Sequence, residues 1–232
     1  MKVAIMQPYF FPYIGYFQLI NAVDKFIIYD DVNYINKGWI NRNNILVNGK
    51  SNLFTLPLKE ASQNKKINEI VLIEDTKWKL KFLQTISQNY KKAKNFESVF
   101  PLIEKSINSE EKNISKYNTI QIKTICEYLN ITTEIISSST IYNNRHLKAS
   151  ERILDICLKE KAKIYINPSG GTNLYSVEYF MTKGIDLVFL KSKSIIYKQL
   201  SNDFIPWLSV IDLLMFNDIN SLTYILKQFE LN

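Results

Sequence analysis

The first 43 residues constrain the fold of this chain more than any other segment. A short apolar run, Val3–Met6, leads into a turn rich in tyrosine and proline, residues 7–16, and helical spacing follows at Phe17–Val23. A second apolar run, Phe26–Tyr29, predicts a buried strand that ends at two consecutive aspartates. A strand, a helix and a second strand in this order predict a parallel α/β domain, in which ligands bind beyond the carboxyl ends of the strands.

The rest of the chain continues this pattern with one interruption. Asn48-Gly49 between two apolar runs predicts a β-hairpin. Apolar residues at three- and four-residue spacing predict helices over 77–130, and we predict a helical subdomain at about 75–130 between two α/β halves. Strands and helices then alternate, and two helices, 206–214 and 219–229, are predicted at the end. We therefore predict a single α/β domain over residues 1–232, with a mainly parallel, Rossmann-like sheet, the hairpin and the helical insertion.

Composition limits the classes of function. The net charge of +7 favours an anionic ligand, such as a nucleotide sugar or RNA, although lysines scattered through Asn- and Ile-rich sequence are also typical of an AT-rich genome. Cys126 and Cys157 lie on predicted apolar helix faces and are expected to be buried and reduced, and no zinc-type spacing occurs, so no metal site is predicted. Without a secretory pattern or an apolar run of about 20 residues, we expect a cytoplasmic protein with no membrane partner.

The turn between the first strand and the first helix is the first candidate site. Amide groups at the start of a helix attract phosphate or carboxylate, and Gly15 allows close approach of the backbone. We expect Gln7 and Tyr9 to contact substrate, and Tyr13 and Tyr16 to act in catalysis as hydrogen-bond donors. The turn is similar in position to the HxGH turn of nucleotidyltransferases, with tyrosines in place of both histidines. A degenerate nucleotidyltransferase-like protein therefore stays an alternative.

The aspartate pair after the second strand is the second candidate. A carboxylate at this position can bind a sugar hydroxyl or act as a general base, and the alternative is an Asx-turn that only ends the strand. Asp30 and Asp31 are expected to point apart, so one of them faces the pocket. For the same reason the pair does not supply the alternating carboxylates of a DxD metal site.

A polar loop follows the aspartates and is the third candidate. Arg42 can bind a diphosphate through two parallel hydrogen bonds, Lys37 can add positive charge, and Trp39 can stack on a base or a sugar. Asn41 and the later Lys59 complete the predicted substrate-binding set of this region. The alternative is a surface loop with one anchoring tryptophan.

A glycine-containing loop after a later strand is expected at the same edge of the sheet. It can cradle an anion or simply cap the helix that follows, and it matches neither GxGxxG nor GxxxxGKS. His146 is the only histidine, which disfavours Ser-His-Asp and Cys-His hydrolases. The substrate-binding residues predicted in this loop are Asn167, Ser169, Gly170, Gly171 and Tyr175.

The strings MQPYFFPYIGYFQLI, DKFIIYDDV and GWINRN closely resemble the WbqC-like proteins of bacterial surface-polysaccharide, or O-antigen, gene clusters. The resemblance continues through FTLPLK, INPSGGTNLY and LSVIDLLMFN and so covers nearly the whole chain. It implies a role in building unusual sugars, and some members of the family act on N-acylated or aminoacylated amino sugars.

The leading hypothesis is a transferase that moves an acyl or aminoacyl group onto the amino group of a nucleotide-linked amino sugar. Asp30 or Asp31 is the predicted base, Tyr13, Tyr16 and Asn167 are candidate donors to the oxyanion, and Arg42 with Lys37 holds the diphosphate. The expected partners are a nucleotide sugar and an acyl or aminoacyl donor, which includes aminoacyl-tRNA. The residues identify no cofactor. The alternative is a non-catalytic module that binds a nucleotide sugar or tRNA.

Overall fold

The computed structural model describes residues 1–200 and 203–232. It contains a central six-stranded sheet, an antiparallel hairpin and a third, two-stranded ribbon. The ten strands are β1 (Lys2–Met6), β2 (Lys25–Ile28), β3 (Arg42–Val47), β4 (Lys50–Thr55), β5 (Leu58–Lys59), β6 (Val71–Leu72), β7 (Glu134–Ile136), β8 (Ile164–Pro168), β9 (Asp186–Ser192) and β10 (Phe229–Leu231).

Helices cover the sheet and fill the long middle segment. They are α1 (Ile14–Asn21), α2 (Thr76–Tyr90), α3 (Phe96–Ile107), α4 (Ile114–Tyr128), α5 (Ala149–Lys159), α6 (Val177–Met181), α7 (Val210–Phe216) and α8 (Ile219–Ile225). Among the described residues, none of these helices is both long enough and apolar enough to cross a bilayer.

The central sheet has the strand order β10-β9-β8-β1-β2-β7. The five strands from β7 across to β9 run parallel in four neighbouring pairs, and β10 pairs antiparallel with β9. The predicted mainly parallel α/β fold is thus confirmed. The edge strand β10 corrects the prediction of a helix up to residue 229, because α8 ends at Ile225 and the chain then turns back along β9.

Side chains alternate between two apolar layers on the two faces of the sheet. Ala4, Phe26 and Ile28 belong to a large cluster that includes residues of α1, α3, α4 and α7. Val3 and Ile27 belong to a smaller cluster formed with α5 and α6. Consecutive residues at the end of one strand therefore leave toward different helices, and this alternation decides where the polar residues beyond the strands point.

The direction of the crossovers reverses at β1. The β1–α1–β2 crossover packs in the large cluster, whereas the β8–α6–β9 crossover packs in the small one. Paired residues between β1 and β8 are Lys2 with Ile164 and Val3 with Tyr165, although within the described chain both strands continue beyond this pairing. The carboxyl ends of β1 and β8 therefore flank a topological switch point, where ligands of open α/β sheets bind.

The predicted hairpin is confirmed. β3 and β4 pair antiparallel, and Asn48 and Gly49 both adopt positive φ angles, as a tight turn of this hand requires. Helices α2, α3 and α4 fill the segment in which helices are predicted, and their buried residues belong to the same apolar cluster as those of α1 and β2. The boundaries of a subdomain at 75–130 stay a prediction.

Two predicted helices are shorter than expected, and each begins directly after a serine N-cap. The helix predicted at 173–183 begins at Val177, where Ser176 accepts a hydrogen bond from the amide of Tyr179. The helix predicted from residue 206 begins only after Ser209, which accepts from the amide of Ile211. Because serine is a strong N-cap, the residues before each cap remain in loops, and one of these residues is Trp207.

Candidate functional site

Asp30 and Asp31 point to opposite faces of the sheet, as strand alternation predicts. The carboxylate of Asp30 accepts hydrogen bonds from Ser115 of α4 (2.8 Å) and from Ser138 beyond β7 (2.8 Å). The carboxylate of Asp31 turns toward α5, where it forms an ion pair with Arg152 at 2.5 Å, and it forms a second ion pair at 3.1 Å with Arg145 in the loop before that helix. The amide and hydroxyl of Ser139 lie between them, with the hydroxyl close to Asp31.

These seven side chains form the carboxylate cluster, defined as Asp30, Asp31, Ser115, Ser138, Ser139, Arg145 and Arg152. Burial opposes ionisation of Asp31, but hydrogen bonds from Ser139, Arg152 and Arg145 outweigh it and hold the pKa of the carboxyl below its usual value. The Arg152 guanidinium also lies 5.0 Å from the centre of the Tyr29 ring and donates to the backbone oxygen of Asp31.

The carboxylate cluster ties the end of β2 to three neighbouring elements. Asp30 is 3% exposed and Asp31 is 1% exposed, and both carboxylates are occupied by hydrogen bonds to the protein. A buried carboxylate that is paired and hydrogen-bonded is stabilised as an anion and is held in one position. This geometry favours a structural role for both residues over the predicted role as general base, which stays a prediction for kinetics to test.

An open cleft of about 290 Å³ lies over the turn that follows β1. Four aromatic side chains make up most of its wall, and none of the described residues that line it carries a charge. Its position beyond the carboxyl end of β1 is where the fold is expected to bind a ligand. We call it the aromatic cleft, and its residues are Tyr9, Pro12, Tyr13, Trp39, Asn43 and Trp207.

The turn that forms the floor of the cleft is held in an uncommon conformation. Phe11 is fully buried and has a positive φ of 41°. The Asn43 amide donates to the backbone oxygens of Phe10 and Phe11, and the Ser209 hydroxyl donates to that of Phe11. Such a conformation persists where surrounding bonds fix it, as here, and it is found most often at functional sites. The same bonds show that Asn43 orders the floor of the cleft.

Tyr13 lies across the first turn of α1. A Cβ atom at Gly15 would overlap the Tyr13 ring, so glycine is what allows the ring to fold down onto the helix. On its other side the ring packs edge-on against Trp207, with centroids 6.1 Å apart. Gly15 thus shapes the cleft by making room for the Tyr13 ring.

Two phenol hydroxyls are available in the cleft. Burial, with a smaller contribution from Tyr13, raises the pKa of Tyr9 to about 12, and burial also raises the pKa of Tyr13. Both therefore stay protonated at neutral pH, and neither hydroxyl has a hydrogen-bond partner among the described residues. Tyr16 differs, because it is buried and donates to the backbone oxygen of Gln7 at 2.9 Å. Its geometry favours support of the turn over the predicted catalytic role.

The loop after the aspartates contributes unequally to the cleft. Trp39 is 44% exposed, lines the cleft, and its backbone oxygen accepts from Phe10. The Arg42 guanidinium lies 5.9 Å from the centre of the Trp39 ring and donates to the backbone oxygen of Lys37. Asn41 is instead buried and bonded at both ends, to Tyr34 and to Leu56. Arg42 and Lys37 are placed beside the cleft, whereas Asn41 holds the loop from inside.

The predicted residues beyond β8 lie on the face of the small apolar cluster. The Asn167 oxygen accepts from the Tyr165 hydroxyl at 3.1 Å, and a Cβ atom at Gly171 would overlap the Asn167 amide. Tyr175 packs perpendicular to Tyr165. Ser169 and Gly170 are exposed in a short 3-10 turn, and Lys59 is exposed in β5. None of these residues lines the aromatic cleft, so the predicted single cleft from Gln7 to Asn167 stays a prediction.

Sequence reasoning placed Asn43 in the candidate loop without giving it a role, and it missed Trp207 and the ion pair of Arg152 with Asp31. Trp207 falls inside the helix predicted from Pro206, but the N-cap signal of Ser209 would have left it in the preceding loop. Arg152 lies far from Asp31 in the chain, and nothing local indicates the pair. Within the described residues, no group of three or more His, Cys, Asp or Glu side chains is arranged to hold a metal ion.

Comparison with known proteins agrees with the resemblance seen in the sequence. The chain is 32% identical over 216 residues to a protein of Mycobacterium tuberculosis named "Uncharacterized protein Rv1507c", and the match covers 92% of each chain. No solved structure matches significantly. The model of the WbqC-like protein family matches residues 7–224, which include the aromatic cleft, the carboxylate cluster and the loop beyond β8. The chain belongs to the WbqC-like protein family.

Proposed function

We propose that this protein is a transferase that binds a nucleotide-linked amino sugar and moves an acyl or aminoacyl group onto its amino nitrogen. The aromatic cleft carries the proposal. Pyranose rings present apolar C–H faces with polar hydroxyls at the rim, and aromatic walls with polar tips suit both. Tyr9, Tyr13, Trp39 and Trp207 supply such walls above the end of β1.

The positive charge beside the cleft supports a nucleotide diphosphate as the carrier of the sugar. The Arg42 guanidinium lies 5.9 Å from the centre of the Trp39 ring and donates to the backbone oxygen of Lys37, and the Lys37 residue is exposed on the same loop. A guanidinium can bind a diphosphate through two charge-assisted hydrogen bonds. The sugar would then lie in the cleft, with the diphosphate along the loop that carries these two cations.

Acyl transfer needs a nucleophilic amine and donors for the oxyanion. The amine nitrogen attacks the carbonyl carbon of the acyl donor, a C–N bond forms, and the bond to the leaving group breaks. One proton passes from nitrogen to the leaving group. The protonated hydroxyls of Tyr9 and Tyr13 are suited to donate to the developing oxyanion. A base for the amine is the remaining requirement, and Asp30 and Asp31 are its sequence candidates.

A binding module is the second candidate, and one observation favours it. No carboxylate or histidine is among the described residues that line the aromatic cleft, so the cleft itself offers no general base. A protein that carries a nucleotide sugar, or that binds an aminoacyl-tRNA through its net charge of +7, needs only the rings and the cations.

Calorimetry with UDP-glucosamine, UDP-N-acetylglucosamine and UDP tests the proposal. We expect both sugar nucleotides to bind more tightly than UDP, and Trp39→Ala to remove most of that difference. Equal affinity for all three ligands would contradict a sugar site in the cleft.

Mass spectrometry of reactions with acyl thioester or aminoacyl-tRNA donors then separates enzyme from module. Transfer to the UDP-glucosamine amine supports the enzyme, whereas tight binding with no product from any donor supports the module. For the enzyme, Asp30→Asn and Asp31→Asn identify the base, since losing a general base lowers turnover by about 10²–10⁴-fold.

A further inference from the structure

Trp207 is an exposed tryptophan in a strained conformation. Its side chain is 70% exposed, and its φ of 61° lies in the left-handed region that bulky residues avoid. The indole forms part of the aromatic cleft, and it also lines a smaller cavity of about 70 Å³. Burial of the indole does not explain this conformation, so the cause must lie in how the chain is held on either side.

The chain after Trp207 is bound to the floor of the cleft. The amide of Ser209 donates to the backbone oxygen of Asn44 at 2.8 Å, and its hydroxyl donates to that of Phe11 at 2.8 Å. The amide of Val210 donates to the backbone oxygen of Pro12 at 3.0 Å. These bonds fix the downstream side of Trp207 to the same turn that carries Tyr13.

The chain before Trp207 is bound to a buried carboxylate. Gln199 holds Ile205 through both of its backbone groups, at 2.8 and 3.0 Å, and its amide also donates to Asp212 at 2.8 Å. Asp212 accepts two further hydrogen bonds, from the hydroxyls of Tyr197 at 2.6 Å and Tyr90 at 2.9 Å. We call these four side chains, Tyr90, Tyr197, Gln199 and Asp212, the Asp212 network.

The Asp212 network is more elaborate than the packing of its segment requires. Asp212 is completely buried within the apolar stretch of α7, and burying a carboxylate is costly unless every oxygen is paired. Replacing such a network by apolar residues is often neutral or stabilising in proteins. The role that best accounts for the Asp212 network is to fix one arrangement of the chain. The segment that it fixes here is the one that carries Trp207.

We infer that the Asp212 network is a positioning device that holds Trp207 as the outer wall of the aromatic cleft, where its indole stacks on the sugar ring of the ligand. Trp207 is then a ligand contact and a determinant of specificity, and Asp212, Tyr197 and Gln199 are positioning residues. The identity of the ligand rests on the proposed function, whereas the positioning of Trp207 does not.

Fluorine NMR of the protein labelled with 5-fluorotryptophan tests the positioning without any ligand. The three resonances are assigned from Trp39→Phe, Trp78→Phe and Trp207→Phe. Gln199→Leu removes the bonds to Ile205 and Asp212, and we expect the Trp207 resonance to move toward the position of a freely exposed indole while that of Trp78 stays in place. Gln18→Leu is the matched control, because Gln18 is also buried and donates to two backbone oxygens, those of Ile225 and Gln228.

Tyr197→Phe keeps the test decisive if Gln199→Leu does not fold. It removes one hydroxyl and leaves the ring to pack on Phe204, whose centroid is 5.2 Å away. We expect a smaller shift of the Trp207 resonance in the same direction. A Trp207 resonance that is unchanged in the folded network variants, or that moves equally in Gln18→Leu, would overturn the positioning role.

Titration with UDP-N-acetylglucosamine separates this inference from the proposed function. Trp207→Ala should weaken binding by about tenfold, the usual scale for one aromatic stacking contact, and Tyr197→Phe by less. If wild-type protein binds and Trp207→Ala binds equally well, the stacking role is wrong. If no variant binds but the network variants still release Trp207, the proposed ligand is wrong and the positioning role stands.

Discussion

The carboxylate cluster and the aromatic cleft differ in whether their polar groups have hydrogen-bond partners within the protein. In the cluster, Asp30 and Asp31 are buried and every oxygen is occupied by serine or arginine donors. In the cleft, the hydroxyls of Tyr9 and Tyr13 have no partner among the described residues, and two tryptophans are exposed. Both regions lie beyond the strand ends where a ligand is expected, yet only the cleft has bonding capacity left for one.

Charge in the sequence is therefore a poor guide to the site in this protein. Asp30-Asp31 attracts notice because consecutive acids follow a buried strand, but a buried acid must be paired to be tolerated, and the fold supplies the partners. The feature that marks the aromatic cleft as a candidate site is instead its unusual backbone conformation. Phe11 lies in the turn that forms the floor of the cleft and Trp207 lines the cleft, and both residues adopt positive φ angles.

The largest effect is expected from a substitution that disrupts the carboxylate cluster. Arg152→Met should lower the free energy of unfolding by about 3–5 kcal/mol, because it removes the buried partner of the Asp31 charge and leaves only the half-exposed Arg145 to pair with it. Arg145→Met is the matched control, since Arg145 pairs with the same carboxylate but has a side chain that is 51% exposed, against 6% for Arg152. An exposed pair contributes about 0–1 kcal/mol. Urea unfolding measures both, and equal losses would show that Asp31 is not a buried anion.

The second prediction tests whether Arg42, which lies beside the aromatic cleft, contributes to ligand binding. Arg42→Ala should weaken binding of UDP-N-acetylglucosamine by about 1.5–3 kcal/mol, with Arg42→Lys in between, because a guanidinium binds diphosphate at two points and an ammonium at one. Lys105→Ala, on the exposed surface of α3, is the control for net charge. Calorimetry that gives one affinity for all three variants would remove Arg42 from the site.

The fold was predictable wherever local pattern and tertiary structure agree. The strands β1, β2, β8 and β9 are short apolar runs between helical segments, and the hairpin turn is encoded by Asn48-Gly49. The strand β10 could not be seen, because its three residues form a strand only by pairing with β9. A segment this short has no periodicity of its own and depends on its neighbour in the sheet.

Several residues of the candidate site were predictable from the sequence, but the contacts that they make with distant residues were not. Tyr9, Tyr13 and Trp39 are sequence candidates, and they lie together in one cleft. The burial of the aspartates depends on Ser115, 85 residues from Asp30, and on Arg152, whose guanidinium bonds the backbone of a residue 121 positions earlier. Such long-range partners are fixed by how α4 and α5 pack on the two faces of the sheet, which a single sequence does not reveal.

A third prediction distinguishes the contribution of backbone strain at Trp207 to stability from the contribution of side-chain burial. Trp207→Gly should be more stable than Trp207→Ala by about 1 kcal/mol, since glycine adopts a positive φ without the steric cost that alanine retains. Both variants lose the same exposed indole, so burial cancels from the comparison. Thermal unfolding of the pair measures the difference. If the alanine variant is as stable as the glycine variant, the left-handed conformation carries no strain and the Asp212 network has nothing to hold in place.

The smallest expected effect is a difference in how the buried carboxylates of Asp31 and Asp212 make the stability of the protein depend on pH. The pKa of Asp31 is lowered, because hydrogen bonds outweigh its burial, so its contribution to stability is present above its ordinary value of 3.8 and is lost as pH falls through the lower folded value. The pKa of Asp212 is raised, because burial outweighs the hydrogen bonds from Tyr197, Gln199 and Tyr90. Its contribution is therefore fully present below 3.8 and is lost as pH rises through the higher folded value.

Urea unfolding across the acid range should show these opposite signs as changes of slope. Asp31→Asn should flatten the loss of stability on the acid side of 3.8, whatever its effect at neutral pH. Asp212→Asn should flatten the loss of stability on the other side of 3.8, because asparagine does not titrate. Its amide oxygen can still accept from Tyr197 and Gln199, while its NH2 group can donate to the Tyr90 oxygen. Each variant is compared with wild type, so the other acids cancel. Slopes that change in the same direction and over the same pH range would mean that the two carboxylates share one environment. The contrast between the ion-paired carboxylate cluster and the Asp212 network, which contains no cation, would then fail.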